Sequence, residues 1–467
     1  MAQFHSKPNR RAMLPVVFSL AWPTMLEQLM QTAVQYIDTA MVGALGTQAT
    51  AAVGATSTVG WLIGSSIGAL GVGFLAYIAQ AFGANEADKA RRAVSQVALA
   101  TLVVGVLFTA LTLGLSRQVP VWMQVEEALR ELAAEYFFVL YTPMLLRTAL
   151  ILFGTVLRAA GDTKTPMRIG VWMNLLNVAL NFLLIYQTRT VRLFSLSVTL
   201  PGAGMGVVGA ALASAVAYAA GGVAITLKVW RHPRVSPRGL SLRPDPHVLK
   251  PCLKVALPNM LQRFGTSLGY VAFASLINAL GGLATAAHTI ANTVESAFYI
   301  PGFGMQTAAA TLAGNALGAG DQERMKDVSA TLLPLEVALM ILSGGLLFLF
   351  APQLMSLFSK DPQVIALGGR VLRMVALSEP FYGVSIVVEG LMQGVGRTVT
   401  PFVFNIIGMW GVRIAGTFVC TRLLGLGLVA AWACMIAHNL LLFLLFTIHY
   451  ASGRWNPLAR SLSQAQV

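Results

Sequence analysis

Polar and apolar positions alternate along this chain on a long scale, and whole stretches carry no charge: 93–116, 169–187, 264–294 and 423–453. A helix needs about 20 apolar residues to cross a bilayer, so each stretch holds at least one crossing. Read through the full 467 residues, the pattern predicts twelve spans, at 14–41, 50–81, 93–116, 132–157, 166–188, 204–228, 250–278, 284–316, 328–350, 364–393, 401–422 and 426–449. The short alternating strands of an outer-membrane barrel are not the pattern here. The expectation is an all-α polytopic membrane protein. Its first apolar segment follows basic residues but carries Glu27 and Asp38, so it reads as a span rather than a cleaved signal peptide.

The chain also repeats itself. Shifted by 235 residues, ALGTQATAAVGATSTV (44–59) falls on ALGGLATAAHTIANTV (279–294), with nine of sixteen positions identical and no gap. The same shift pairs Pro23 with Pro258, Gly83-Ala84 with Gly318-Ala319, Gly161 with Gly396, and Thr165-Pro166 with Thr400-Pro401. About 14 extra residues near Gln187–Leu200 reduce the offset to 221 from Gly209 onward. Within them RLFSLSVTL (192–200) alternates weakly and predicts a short external hairpin. Each half holds six spans, an even number, so both halves run in the same direction. The expected architecture is two six-helix bundles related by a pseudo-twofold axis along the membrane normal. Residues 1–228 form an N-lobe, the Pro- and Arg-rich stretch 229–249 a cytoplasmic linker, and 250–467 a C-lobe.

Composition sharpens this picture. Apolar residues make up 56% and charged residues 11%, against about 25% in a soluble domain. Mean hydropathy is +0.70. A disordered chain is excluded, and a soluble enzyme could not cover its surface with so few charges. The net charge of +14 does not point to nucleic acid, because the bases are scattered between apolar runs. They sort by topology instead. With the N-terminus inside, 21 fall in inner segments, from Lys7 to Arg460. The outer eight are Arg117, Arg130, Arg189, Arg192, Lys360, Arg370, Arg373 and Arg422. This bias predicts cytoplasmic termini. Cys252, Cys420 and Cys434 match neither a zinc site nor a disulfide framework, and read as packing residues. Gly204, Gly206 and Gly209 fit a GxGxxG pattern, but Val229 and Trp230 stand where a dinucleotide site needs an acid.

Ionisable groups within spans ask for a reason, since each costs about 2.5–3.5 kcal/mol or more to insert. Six of the 18 acids lie there: Glu27, Asp38, Glu295, Glu336, Glu379 and Glu389. In the first span Glu27, Gln31, Gln35 and Asp38 fall within about 80° of one another on a helix, a stripe that must face protein or a watery cavity. Asp38 falls on Phe273 in the repeat, so symmetric packing does not account for it. Such a carboxylate can carry a proton or, with amide and hydroxyl oxygens beside it, hold Na⁺. Glu27 is either a second titrating site or a buried ion-pair partner. Arg147, Arg263 and Arg413 are candidate partners for Glu27, Glu379 or Glu389. Asn174, Asn177 and Asn181 line one face of span five, toward the cavity or another polar helix. His288 and His438 read as hydrogen-bonded packing residues.

Six stretches give the chain a family likeness: IDTAMVGALG (37–46), AQAFGANEADKARRA (79–93), LRAAGDTKTP (157–166), NVALNFLLIY (177–186), IPGFGMQTAAATLAGNALGAGD (300–321) and WGVRI (410–414). In these, and over nearly its whole length, it resembles the MATE (multidrug and toxic compound extrusion) transporters, with ESAFYIPGFG (295–304) similar to the DinF-like branch. The resemblance implies no cofactor, and efflux of lipophilic organic cations in exchange for H⁺ or Na⁺ across the cytoplasmic (inner) membrane. It implies that Asp38 is the coupling residue, with Gln31, Asn177 and Ser214 lining the cavity near it. Asn181 stands where some members have a second aspartate, and Thr266 and Tyr382 where the sodium-coupled branch has acids. H⁺ is therefore the preferred coupling ion, with a Na⁺ site at Asp38 and Asn177 as the alternative. Glu295, Glu379, Glu389 and Arg263 are secondary candidates. A lipid-linked oligosaccharide exporter of the same superfamily and a membrane-embedded enzyme are the competing functions. Membrane lipid is the expected surrounding partner, nucleic acid is not expected, and two complete lobes make a monomer sufficient.

Overall fold

The structure, a computed structural model, describes residues 10–123, 125–193 and 196–459; Lys7 and Arg460 lie outside the described residues. The first half comprises α1 (Arg10–Gly43), α2 (Thr47–Gly83), α3 (Ala87–Gly114), the short α4 (Gln118–Trp122), α5 (Glu127–Tyr141), α6 (Met144–Ala159), α7 (Lys164–Leu184), strands β1 (Gln187–Leu193) and β2 (Leu196–Ala203), and α8 (Gly206–Arg231). The second comprises α9 (Pro246–Asn278), α10 (Gly282–Gly318), α11 (Gln322–Ser356), α12 (Pro362–Ala376), α13 (Glu379–Gly394), α14 (Val399–Ile406), α15 (Ala415–Phe418) and α16 (Leu428–Ala451). Two π-helical stretches, Ile407–Ile414 and Val419–Leu423, join α14 and α15 into one rod ending at Leu423. Counting α5–α6 and α12–α13 as single bent spans, the described residues form twelve crossings in two six-helix bundles. The repeat holds in three dimensions. α2 and α10, α5 and α12, and α6 and α13 each begin and end 235 residues apart.

Seven of the crossings, or nine with the bent pairs, are long and apolar enough to span on composition alone. The other three are α1, α9 and α10, with 34, 33 and 37 residues. Their polar side chains lower their hydropathy, and all three take part in contacts between the lobes. The two bends, 50° between α5 and α6 and 53° between α12 and α13, fall within the segments expected as single spans at 132–157 and 364–393. Proline explains them: Pro143 caps α6 and Pro380 sits in the first turn of α13, where a missing N–H costs nothing. Span five stops at Leu184 rather than 188 because the chain turns into the hairpin, whose strands pair antiparallel from Gln187↔Ala203 to Leu193↔Leu196. The hairpin is longer than expected, and the GxGxxG glycines serve its exit. Gly204 and Gly206 have φ of 65° and 57°, and a side chain at Gly209 would strike the Leu184 carbonyl. α8 runs on to Arg231 and α9 begins at Pro246, so the connection is shorter than the 229–249 expected. Asp245 caps α9 by accepting from the His247 N–H at 2.9 Å.

The two cores are interlocked. Met13, Val16, Val17, Leu20 and Ala21, at the start of α1, are buried against α10, α11 and α13 of the second half. Val248, Cys252 and Ala256, at the start of α9, are buried with the aromatic core of the first half around Phe74, Tyr141 and Phe153. Each bundle's first helix thus begins inside the other bundle. The lobes also cross closely where α2 and α10 end, on the face where α1 starts and α16 finishes. Gln80 Nε2 donates to the Gly394 carbonyl at 3.0 Å, and Asn315 Nδ2 to that of Ala79 at 3.3 Å. A Cβ at Gly83 would meet the Asn315 carbonyl, and one at Gly318 that of Gln80, so only glycine permits this approach. We expect Gly83→Leu to separate the crossing. With the native cysteines replaced, disulfide trapping between Ala79→Cys and Asn315→Cys should then fall several-fold; unchanged trapping would show that the helices can re-pack around the new side chain.

Candidate functional site

The sharpest polar constellation lies in the first lobe. Asp38, half-buried on α1, faces α7. Asn181 Nδ2 donates to Asp38 Oδ1 at 2.5 Å. With the Asn177 amide turned so that its nitrogen faces the acid, it donates to Oδ1 at 2.9 Å and Oδ2 at 3.2 Å. Its oxygen then accepts from Ser214 Oγ at 3.0 Å and Ser214 N–H at 3.2 Å, which ties the cage to α8. Asn177 and Asn181 are one turn apart and both buried, so α7 presents two amides to one carboxylate. Asn181 Oδ1 is buried and without a hydrogen-bond partner. An oxygen left in that state beside a carboxylate is a ready cation ligand once the amides rotate. Four expected residues, Asp38, Asn177, Asn181 and Ser214, therefore converge.

The repeat isolates this site. Its second-lobe positions are Phe273, Val412, Gly416 and, at the offset of 221, Met435, none of which can hold a proton or a cation. Phe273 is buried beneath the Arg413 guanidinium, 4.2 Å from its ring centroid. One lobe carries the carboxylate and the other an aromatic plug.

Other expected residues separate from the cage. Gln31 and Gln35 are exposed on α1 and make no hydrogen bond to Asp38. Asn174 is buried a turn earlier on α7, with its amide nitrogen unpartnered. Glu27 is buried and ion-paired with Arg158 of α6 at 2.9 Å, so its partner is none of the three arginines expected.

Comparison with known proteins places the whole arrangement. The MatE family profile matches residues 23–183 and again 258–419, one copy in each half. This chain is a member of the MatE family. It is 28% identical to a probable multidrug resistance protein NorM of Thermotoga maritima over 443 residues, 95% of this chain and 93% of that protein. It is 25% identical to the probable multidrug resistance protein YoeA of Bacillus subtilis, over 88% of this chain and 87% of that protein. The fold matches an outward-facing multidrug resistance MATE family transporter of the MOP superfamily, with a TM-score of 0.87 at 23% identity and 98% of each chain covered. It also matches a MOP superfamily transporter from Pyrococcus furiosus, with a TM-score of 0.86 at 24% identity and 98% of each chain covered. MatE proteins are transporters, not enzymes, which sets the membrane-enzyme alternative aside.

The second lobe of this MatE protein holds a separate set of acids. Glu389 is buried and accepts from Gln262 Nε2 at 2.8 Å, Gln393 Nε2 at 3.1 Å and Asn405 Nδ2 at 3.1 Å. Glu295 is buried on α10. Glu379 is buried in the first turn of α13 with Oε2 unpartnered. Glu336 is fully buried with neither oxygen hydrogen-bonded. The arginine pairing expected from sequence is replaced by stacking. Arg147 lies over Tyr141 and Tyr218, 5.3 and 4.6 Å from their centroids, and Arg413 over Tyr270 and Phe273. Each guanidinium lies over aromatic faces and forms no ion pair among the described residues, and Arg413 Nε is left buried and unpartnered. Arg263 is half-buried on α9, with no carboxylate at ion-pair distance among the described residues. His288 Nδ1 accepts from Trp432 Nε1 at 3.2 Å, as a packing histidine should, but both ring nitrogens of His438 are unpartnered. Among the described residues no three His, Cys, Asp or Glu side chains form a metal site.

Sequence reasoning missed Arg158, Gln262, Gln393 and Asn405. The repeat carried the signal: Glu27 falls on Gln262, Arg158 on Gln393, Gly154 on Glu389 and Gly170 on Asn405. The same helix junction is built in both lobes, as an ion pair in one and as an amide-caged carboxylate in the other.

Proposed function

We propose that this protein is a multidrug efflux antiporter that exports lipophilic organic cations in exchange for H⁺, working by alternating access as a monomer with Asp38 as its coupling residue. The observation that carries the reading is the half-buried carboxylate of Asp38, held by amides of Asn177 and Asn181 in one lobe and answered by Phe273 in the other. The names of the relatives, probable multidrug resistance proteins, support the substrate class. ESAFYIPGFG supports the DinF-like branch. The excess of bases on the face where α1 begins supports an inner-membrane protein with cytoplasmic termini. The two lobes are joined there by 232–245 and divided between Arg231 and Pro246.

In this reading, Asp38 takes a proton from the outer medium while the lobes are closed on the inner face. Neutralising the carboxylate removes its attraction for a bound cation, which leaves outward. The lobes then reverse, the proton departs inward, and the next cation is drawn to the restored charge. The proton drives the cycle because it interacts differently with the two states. Na⁺ is the alternative ion, held by Asp38 with the amide oxygens of Asn177 and Asn181 turned inward.

The test is uptake of a fluorescent lipophilic cation in proteoliposomes under a proton gradient or a sodium gradient applied separately. Proton-driven accumulation without sodium is the expected result. Accumulation only under the sodium gradient would reverse the ion, and none under either would reject the antiport reading.

A further inference from the structure

We propose that the second lobe carries a binding site for an anionic phospholipid on its membrane-facing surface, where Arg370 and Arg373 of α12 hold the lipid phosphate above a groove that takes an acyl chain. A groove of about 700 Å³ runs between α11 and α12, lined by Phe348, Pro352, Ile365, Arg370, Arg373 and Leu377 among others. Both arginines are exposed. The Arg373 guanidinium lies 5.9 Å from the Phe348 ring centroid and its Nε donates to the Phe348 carbonyl at 3.4 Å, which leaves its other N–H groups free to turn outward. Arg370 makes no ion pair among the described residues, and no carboxylate reaches either guanidinium.

Depth identifies the ligand. The bent span α12–α13 covers 33 residues from Pro362 to Gly394, about 50 Å of helix against about 30 Å of hydrocarbon. Roughly the outer 10 Å therefore lies among headgroups. Arg370 and Arg373 lie about 12 and 16 Å along α12 from its start, at the level where phosphate and glycerol groups meet the acyl chains. A long basic side chain there reaches up to the interface, and an arginine fork matches a phosphate in two-point geometry. Met374 and exposed Leu377, further along the chain at the end of α12, continue the groove below as apolar wall. A soluble anion would gain nothing from that wall; a lipid uses both parts.

These two arginines are among the eight bases that the topology rule leaves on the outer side. The repeat offers no packing reason for them, since their first-lobe positions are Glu135 and Phe138. That lobe places a negative charge where the second places a positive one, so the site belongs to one face of the molecule only.

The test uses the full-length protein in detergent, titrated with phosphatidylglycerol, phosphatidylethanolamine or inorganic phosphate, and reads lipids retained by native mass spectrometry together with the thermal unfolding midpoint. We expect about a tenfold preference for phosphatidylglycerol, equivalent to about 1.4 kcal/mol. The preference should vanish in Arg370→Gln/Arg373→Gln and persist in Arg422→Gln, which removes another outer base. Ile365→Trp, which fills the groove and keeps both charges, should weaken retention and guards against a folding defect in the double variant. Equal retention of the two lipids, an unchanged preference in the double variant, or stabilisation by inorganic phosphate alone would each overturn the proposal.

Discussion

Asp38→Asn is expected to abolish gradient-driven transport of organic cations while leaving a folded protein. The side chain keeps its shape, so the cage has little reason to collapse: an amide at 38 can still accept from Asn181, and Asn177 can turn to suit it. What disappears is the charge for which, in the proposed cycle, proton and drug compete. Coupling between two ligands is typically worth 1–3 kcal/mol, so accumulation should fall roughly 5–150-fold, toward the level of passive leak. Binding of a neutral lipophilic dye should change little, and that of a cationic one should lose its pH dependence. Transport by the variant at the wild-type level under a proton gradient would remove Asp38 from the mechanism.

The second large effect concerns stability. Arg158→Met leaves Glu27 buried without its partner, and breaking a buried pair from one side costs about 3–5 kcal/mol. Thermal unfolding in detergent should shift down sharply. The second lobe supplies the repair, because it places Gln262 and Gln393 at the same two positions. Glu27→Gln/Arg158→Gln should recover most of the lost stability, since two amides can satisfy one another where a lone carboxylate cannot. If the double variant is no more stable than Arg158→Met, the pair is not a self-contained structural unit. Retained proton coupling in the double variant would assign Glu27 to structure, and lost coupling would return it to the transport path.

The spans and the repeat were legible in the sequence, as were the residues of the Asp38 cage, though not their contacts. Hydropathy reports how long a segment can stay in lipid, and a carboxylate in one half only asks for a function. Asn177 and Asn181 were legible because a helix puts residues four apart on one face. The partner of Glu27 was not, since Arg158 sits near a helix end, where a base is ordinarily explained by topology. The stacked arginines were missed for a related reason: in a chain with ten Tyr and 23 Phe, no single ring announces itself as the one beneath a guanidinium. The bends required knowing that Pro143 and Pro380 interrupt spans rather than begin them.

The exchanged helix starts bear on how such a molecule can move. Residues 13–21 of α1 are anchored in one bundle, whereas Asp38 of the same helix answers to the other. Ownership of α1 changes hands between these points, near Pro23, and ownership of α9 changes near Pro258, its equivalent in the repeat. Two bodies mortised together in this way cannot pivot on the connection at 232–245. In the proposed cycle their relative rotation is absorbed within two helices, at the turns where a proline has already removed a hydrogen bond.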